Sequence, residues 1–134
     1  MLTEAYARSS SPSRTAMETD PENILLSRTN VRRLQGEAIR DSILAASGTL
    51  NRKMHGPSIA VHVTPFMSGR GRPKSGVLDS DGRRSIYIET RRNYLSPMML
   101  AFDTPIPFNA IGARSVSNVP AQALILLNDP LVLQ

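Results

Sequence analysis

Between Thr64 and Gly82 the chain carries four glycines and two prolines and shows neither a 2-residue nor a 3.6-residue apolar period. Irregular stretches of this length are uncommon inside compact domains, and where they occur they are functional or mobile. The fold must therefore be assembled from short elements on either side of a long connection. At 134 residues the chain has room for one modest core.

Before the irregular stretch, Ile39, Ile43, Ala46 and Leu50 follow a 4-3-4 spacing that predicts a helix over 31–47. Gly48 is placed to end that helix in a left-handed conformation. Gly36 inside it costs about 1 kcal/mol against Ala, which points to a neighbour packed closely there. Upstream, residues 1–19 form a polar leading segment. Asp20-Pro21-Glu22-Asn23 then has the cap, proline and acid of a helix start, predicting a helix over 21–28.

From Pro57 the period changes. Ile59, Val61 and Val63 alternate with Ser58, Ala60 and His62 and predict a strand over 58–63. Asp81-Gly82 is a turn signal, and Ile86 and Ile88 predict a second strand over 84–89. Ser96-Pro97 and Asn118-Val119-Pro120 open helices over 97–102 and 119–127. The expected class is thus mainly helical α+β: short helices, one small two-stranded sheet and long irregular loops. Asp129-Pro130 repeats the cap-and-proline start, and Gln134 stands five residues into that element. So short a helix is not stable alone, and residues 20–134 read as a domain truncated at its C-terminus.

Sixteen basic and eleven acidic residues give a net charge of +5, and fourteen of the cations are Arg. Nine of the sixteen cations and three acids lie between Arg52 and Arg92, which makes that stretch +6 and the remainder −1. Such a stretch suits anions or nucleic acid. The interleaved aromatics of a single-strand binder are missing, so structural pairing with acids and carbonyls is the preferred reading. Arg70-Gly71-Arg72-Pro73-Lys74 resembles the core of an AT-hook, in which arginines seek the narrow minor groove. Arg70, Arg72 and Lys74 are the nucleic-acid candidates. A single five-residue match between two predicted strands is weak, and a nucleic-acid partner is not the expectation. The Ser68–Asp81 loop is expected to be exposed and mobile. Arg84, beside an apolar strand face, needs a partner, with Asp103 and Glu37 as candidates.

Candidate chemistry is sparse. Glu37 and Asp41, four apart on the main helix, are candidates for acid–base work, with Arg114 beside them at an inter-domain cleft. The competing reading is an ion-pair lattice with Arg33 and Arg40 at helical spacing. Asp79-x-Asp81-Gly82 is half a calcium loop, but Thr90 stands where the bidentate acid belongs. Two histidines are too few for a metal site, so no metal is expected. No cysteine means no disulfide, thiol catalysis or covalently attached c-type haem in this chain. No apolar run approaches the roughly 18 residues of a membrane span.

Three stretches carry a resemblance. The first is Asp20-Pro-Glu-Asn with Arg32-Arg-Leu-Gln-Gly-Glu-Ala-Ile-Arg-Asp-Ser-Ile-Leu-Ala-Ala-Ser-Gly48. The second is Arg83-Arg-Ser-Ile-Tyr-Ile88 running on to Arg92-Asn93. The third is Phe102-Asp-Thr-Pro-Ile-Pro107 with Arg114-Ser-Val-Ser-Asn-Val-Pro-Ala-Gln-Ala-Leu-Ile-Leu-Leu-Asn-Asp-Pro130. Together they resemble the planctomycete PSD-one family, a domain of unknown function that ends large, often cytochrome-c-bearing, proteins. Ser27 stands where a Trp is common in the family, and Ala113 where an Arg often precedes Arg114.

The resemblance implies that Arg33, Arg40, Arg84, Tyr87, Asp103, Pro120, Gln122 and Asn128 are structural motif residues. It implies an exported or envelope location and no cofactor in this chain, with any haem in upstream domains. Those upstream domains are the expected partners, so the Ile24, Leu25, Ile39, Ile43 and Leu124 face should be incompletely covered. The leading expectation is a non-catalytic accessory module. Its rivals are part of an inter-domain active site and an AT-hook-like nucleic-acid contact.

Overall fold

Serine or proline opens several of the short helices, and among the described residues polar side chains rather than a sheet join them. The computed structural model describes residues 4–134, with Ala5 and Tyr6 by backbone only; residues 1–3 of the polar leading segment lie outside the described residues. The chain divides into two units, Met1–Arg33 and Leu34–Gln134.

The first unit holds α1 (Glu4–Ala7) and α2 (Arg14–Thr19). The Ser13 hydroxyl caps α2 by accepting from the Ala16 N–H at 3.1 Å. The helix expected over 21–28 does not form. Asp20 accepts instead from the N–H groups of Ile24 (2.7 Å) and Leu25 (3.1 Å), curling the chain back on the carboxylate. Asn23 and Leu26 take left-handed φ values of 57° and 54°, which no helix tolerates. The buried Asn23 amide holds this loop by donating to the Arg28 carbonyl (2.9 Å) and accepting from the Arg28 N–H (3.0 Å). Ile24, Leu25 and Leu26 consequently point to solvent.

The second unit contains α3 (Gly36–Ala46), α4 (Pro97–Ala101), α5 (Pro120–Asn128) and α6 (Pro130–Leu133). The α3 helix starts five residues later than its expected bound of 31, because Gln35 is extended. It ends at Ala46 with Ser47 as its C-cap, and the chain then turns away at Gly48, whose φ is +75°. Gly36 meets α4: a Cβ there would lie 3.1 Å from Thr104 Oγ1 and 3.2 Å from Phe102 Cβ. Ser96 and Asp129 cap α4 and α6 with their side chains. Leu44, Met98, Phe102 and Leu131 form one small core with Ile39 and Ile43 against it; Val61, Val63 and Tyr94 form another.

The expected two-stranded sheet is absent: among the described residues there is no strand, only isolated bridges such as Ile59 with Ile88 and Asn51 with Arg83. Ile59 exchanges two backbone hydrogen bonds with the other segment, Ile59 N–H to Tyr87 O (2.8 Å) and Glu89 N–H to Ile59 O (2.9 Å). The ladder then stops. The Val61 N–H goes to the Glu89 carboxylate, the Val61 carbonyl to the Gly76 N–H, and the Val63 N–H to the Ser75 hydroxyl. Opposite, Ser85–Tyr87 is a single 3-10 turn, which leaves Ile86 exposed while Ile88 packs inward. Strand-like alternation in 59–63 is real in its burial. Its partner is simply not extended.

The long connection is anchored at several points. Tyr94 donates to the Gly69 carbonyl at 2.6 Å, Arg72 donates to the Thr64 and Met67 carbonyls, and Leu78 packs on the first core. Its Ser68–Gly71 tip is exposed.

Candidate functional site

Two buried arginines organise the second unit. Arg40, on the inner face of α3, is 3% exposed and donates to the carbonyls of Arg83 (2.9 Å) and Asp79 (2.5 Å) and to the Ser85 hydroxyl (3.2 Å). Burial lowers its pKa, and the nearby Asp41 and Asp79 charges oppose that shift in part. The planar fork of Arg suits several fixed acceptors at once. What it clamps is a strained turn: Ser80, Asp81 and Gly82 all have positive φ, at 52°, 53° and 66°. Asp79 shares in holding it, its carboxylate accepting from the Asp81 N–H at 3.1 Å.

Arg83 is 8% exposed and lies under the 53–57 loop, donating to the His55 carbonyl at 2.7 Å and more loosely to those of Lys53 and Pro57. Its guanidinium stacks 3.9 Å from the Tyr87 ring centre. Tyr87 in turn accepts from the His55 N–H at 2.8 Å.

The structure draws the two candidate carboxylates to different partners. Glu37 meets Arg114 at 2.8 Å, and Arg114 also donates to Gln35. Burial would raise the Glu37 pKa, but the Arg114 hydrogen bond and charge bring it below the usual value. Asp41 accepts from the N–H and hydroxyl of Ser85, both at 2.7 Å, and pairs with Arg84 at 3.6 Å. Arg84 thus finds Asp41 rather than Asp103 or Glu37, and it is half-exposed rather than set against a strand face. Arg40 does not extend a lattice to Glu37; it reaches across to carbonyls. Arg33 stands at the end of the first unit.

The third motif is stitched locally. Asp103, with φ +59°, accepts from the Ser117 N–H (2.7 Å) and hydroxyl. Buried Gln122 donates to the Ser117 carbonyl at 3.3 Å. Pro120 opens α5, and Asn128 ends it with a 2.7 Å bond to the Leu124 carbonyl. In the hook-like loop Arg70 and Lys74 are exposed, while Arg72 is folded onto carbonyls and Gly71 makes a turn at φ +69°. That is a closed loop, not the extended ribbon a minor groove takes.

A cleft of about 790 Å3 separates the two small cores, within the size range of ligand pockets. Val61, Phe66, Ile88, Met98, Leu124 and Leu131 are among its mainly apolar lining, with Glu37, Glu89 and His62 as polar groups. Phe66 is 94% exposed at this cleft. Along α5, Leu124 is 59% and Leu127 69% exposed, and only Gln122 is buried. The cleft was not foreseen, although one signal was in the sequence: Ala121 to Leu127 is apolar on every side except for Gln122. A helix without a polar face is a buried helix.

Among the described residues no group of three or more His, Asp or Glu is gathered to hold a metal ion, and no helix is long and apolar enough to cross a membrane. The arrangement defines a small, arginine-clamped helical domain with an open apolar cleft. The chain belongs to the PSD1 family, proteins of unknown function (DUF1553), whose family model matches residues 1–134. No curated protein and no solved structure matches it.

Proposed function

We propose that the Leu34–Gln134 unit is a non-catalytic accessory module of a larger envelope protein, and that its apolar cleft and α5 close against that protein's own upstream domains. The exposed, largely apolar α5 carries this reading. Leaving Leu124 and Leu127 in water forgoes about 1.5–3 kcal/mol for each side chain that a partner would bury. Exposed apolar surface gathered at a cleft marks an interaction site. The two carboxylates best placed for acid–base chemistry support the same reading, since each is committed to a hydrogen-bonded structural partner.

Carbene labelling of the longer polypeptide tests it. Leu124, Leu127 and Phe66 are expected to be shielded there, and Leu124→Asp with Leu127→Asp should restore labelling at Phe66. Full labelling of all three in the intact protein would refute the docking role.

A further inference from the structure

Four places in the chain carry two basic residues in a row: Arg32-Arg33, Arg52-Lys53, Arg83-Arg84 and Arg91-Arg92. An endoprotease with acidic specificity pockets reads such a pair. It must also receive the chain extended and exposed, with backbone N–H and C=O groups free to bond to the enzyme. Where those groups are already committed, the segment has to open before it can be cut.

The fold commits three of the four pairs. Arg83 is 8% exposed, with its guanidinium on the His55 carbonyl and the Tyr87 ring, and Arg84 pairs with Asp41. Arg91 closes a tight turn, its carbonyl accepting from the Tyr94 N–H at 3.0 Å, and it meets Glu89 at 3.1 Å. The Lys53 N–H donates to the Asn51 side chain at 3.0 Å, and its carbonyl accepts from Arg83 at 3.4 Å.

The first pair is different. Arg32 and Arg33 stand in the segment 30–35, where every residue is exposed and none belongs to a helix or turn. Val31 is 85% and Leu34 56% exposed. Among the described residues, the backbone groups of Val31, Arg32 and Leu34 make no hydrogen bond. The bond that follows the pair, Arg33–Leu34, is also where the chain divides into its two units, and α3 begins only at Gly36. A cut there passes through neither unit.

We infer that the Arg33–Leu34 bond is a processing site for an endoprotease that reads paired basic residues. Water adds across that amide, leaving a carboxylate on Arg33 and a free amine on Leu34. The Leu34–Gln134 unit leaves the covalent chain with α3 to α6 and both small cores uncut. This inference is independent of what fills the cleft.

Digestion of the 134-residue chain under native conditions with a dibasic-specific serine endoprotease tests it, followed by intact mass and N-terminal sequencing. The first cut should expose Leu34 as the new N-terminus, and the fragment 34–134 should outlast the parent chain by about tenfold or more. Normalised to short peptides spanning each pair, cleavage in the chain should be at least about tenfold faster at Arg33–Leu34 than at the other three pairs. Arg33→Gln should remove this cut, whereas Arg92→Gln should leave its rate unchanged. A first cut at any other pair would overturn the inference. So would resistance of the native chain under conditions that cleave the peptide spanning Arg32-Arg33, or breakdown of the fragment 34–134 as fast as it forms.

Discussion

One carboxylate oxygen of Asp41 accepts from both the backbone N–H and the hydroxyl of Ser85, each at 2.7 Å across 44 residues of sequence. That double contact starts the Ser85–Tyr87 turn on the side of α3. It commits the Ser85 N–H to α3, while the N–H groups of Tyr87 and Ile88 turn back on the Arg84 and Ser85 carbonyls. Asp41→Ala should leave the Ser85 N–H unpaired and remove a charge beside Arg40, costing about 2–3 kcal/mol in urea unfolding. Asp41→Asn keeps an acceptor and should cost about 1 kcal/mol. Equal stability of the two variants would mean that the contact is not a support of the fold.

Gly82 and Gly48 separate two costs. Both are left-handed, but a Cβ on Gly48 meets nothing within 4 Å, whereas on Gly82 it would lie 2.2 Å from the Thr49 carbonyl oxygen. Gly48→Ala should therefore cost only the left-handed penalty, about 1–2 kcal/mol. Gly82→Ala adds a collision with fixed backbone and should cost clearly more, about 3 kcal/mol or beyond. Similar midpoints in chemical denaturation would contradict the tight approach.

The helices that the sequence foretold well are those started by short-range chemistry. Ser96-Pro97, Pro120 and Asp129-Pro130 each place a helix within a residue or two of expectation, because cap and proline act on their own turn. Gly48 and the close neighbour of Gly36 were legible for the same reason. The failures are long-range. Asp20 carries a helix-cap signature, yet its carboxylate binds N–H groups four and five residues on, and Asn23 turns left-handed. The α2 helix was missed even though Ser13 and the Arg14–Glu18 spacing were available signals. Ile86 and Ile88 alternate like a strand, but the partner that decides their geometry, Asp41, lies far away in the chain. Of the candidate site, the Glu37–Arg114 grouping was foreseen and is in contact. The cleft was not, since it depends on two cores that no local pattern predicts.

Acid should loosen the second unit by a route that can be traced. Glu37 and Glu89 have pKa values below the usual carboxylate value: Arg114 outweighs burial at Glu37, and the Arg91 hydrogen bond leads at Glu89. The unfolded chain takes up these protons at about pH 4.3, the folded chain only lower. Their stabilisation is therefore complete above that range and is lost as pH falls through the depressed folded values. Glu37→Gln should lower the melting temperature at neutral pH, by the equivalent of about 1 kcal/mol or less. Its curve should converge with that of the parent once the pH has fallen through the depressed folded value. Parallel curves across the whole range would show that Glu37 carries no pH-linked stability.

In the first unit, the buried Asp20 carboxylate holds the N–H groups of Ile24 and Leu25, while Arg28 donates to the carbonyls of Asp20 (3.1 Å) and Pro21 (2.6 Å). Polar contacts alone thus set the shape of a loop whose apolar side chains face outward. If that account is correct, protection of those two amides depends on the carboxylate and not on packing of Ile24 or Leu25. Asp20→Ala should speed hydrogen exchange at Ile24 and Leu25 roughly thirtyfold, the equivalent of about 2 kcal/mol of local opening. Ile24→Ala and Leu25→Ala should leave exchange there nearly unchanged, because both side chains are exposed. Faster exchange in the alanine variants than in Asp20→Ala would assign the loop's order to apolar contacts instead.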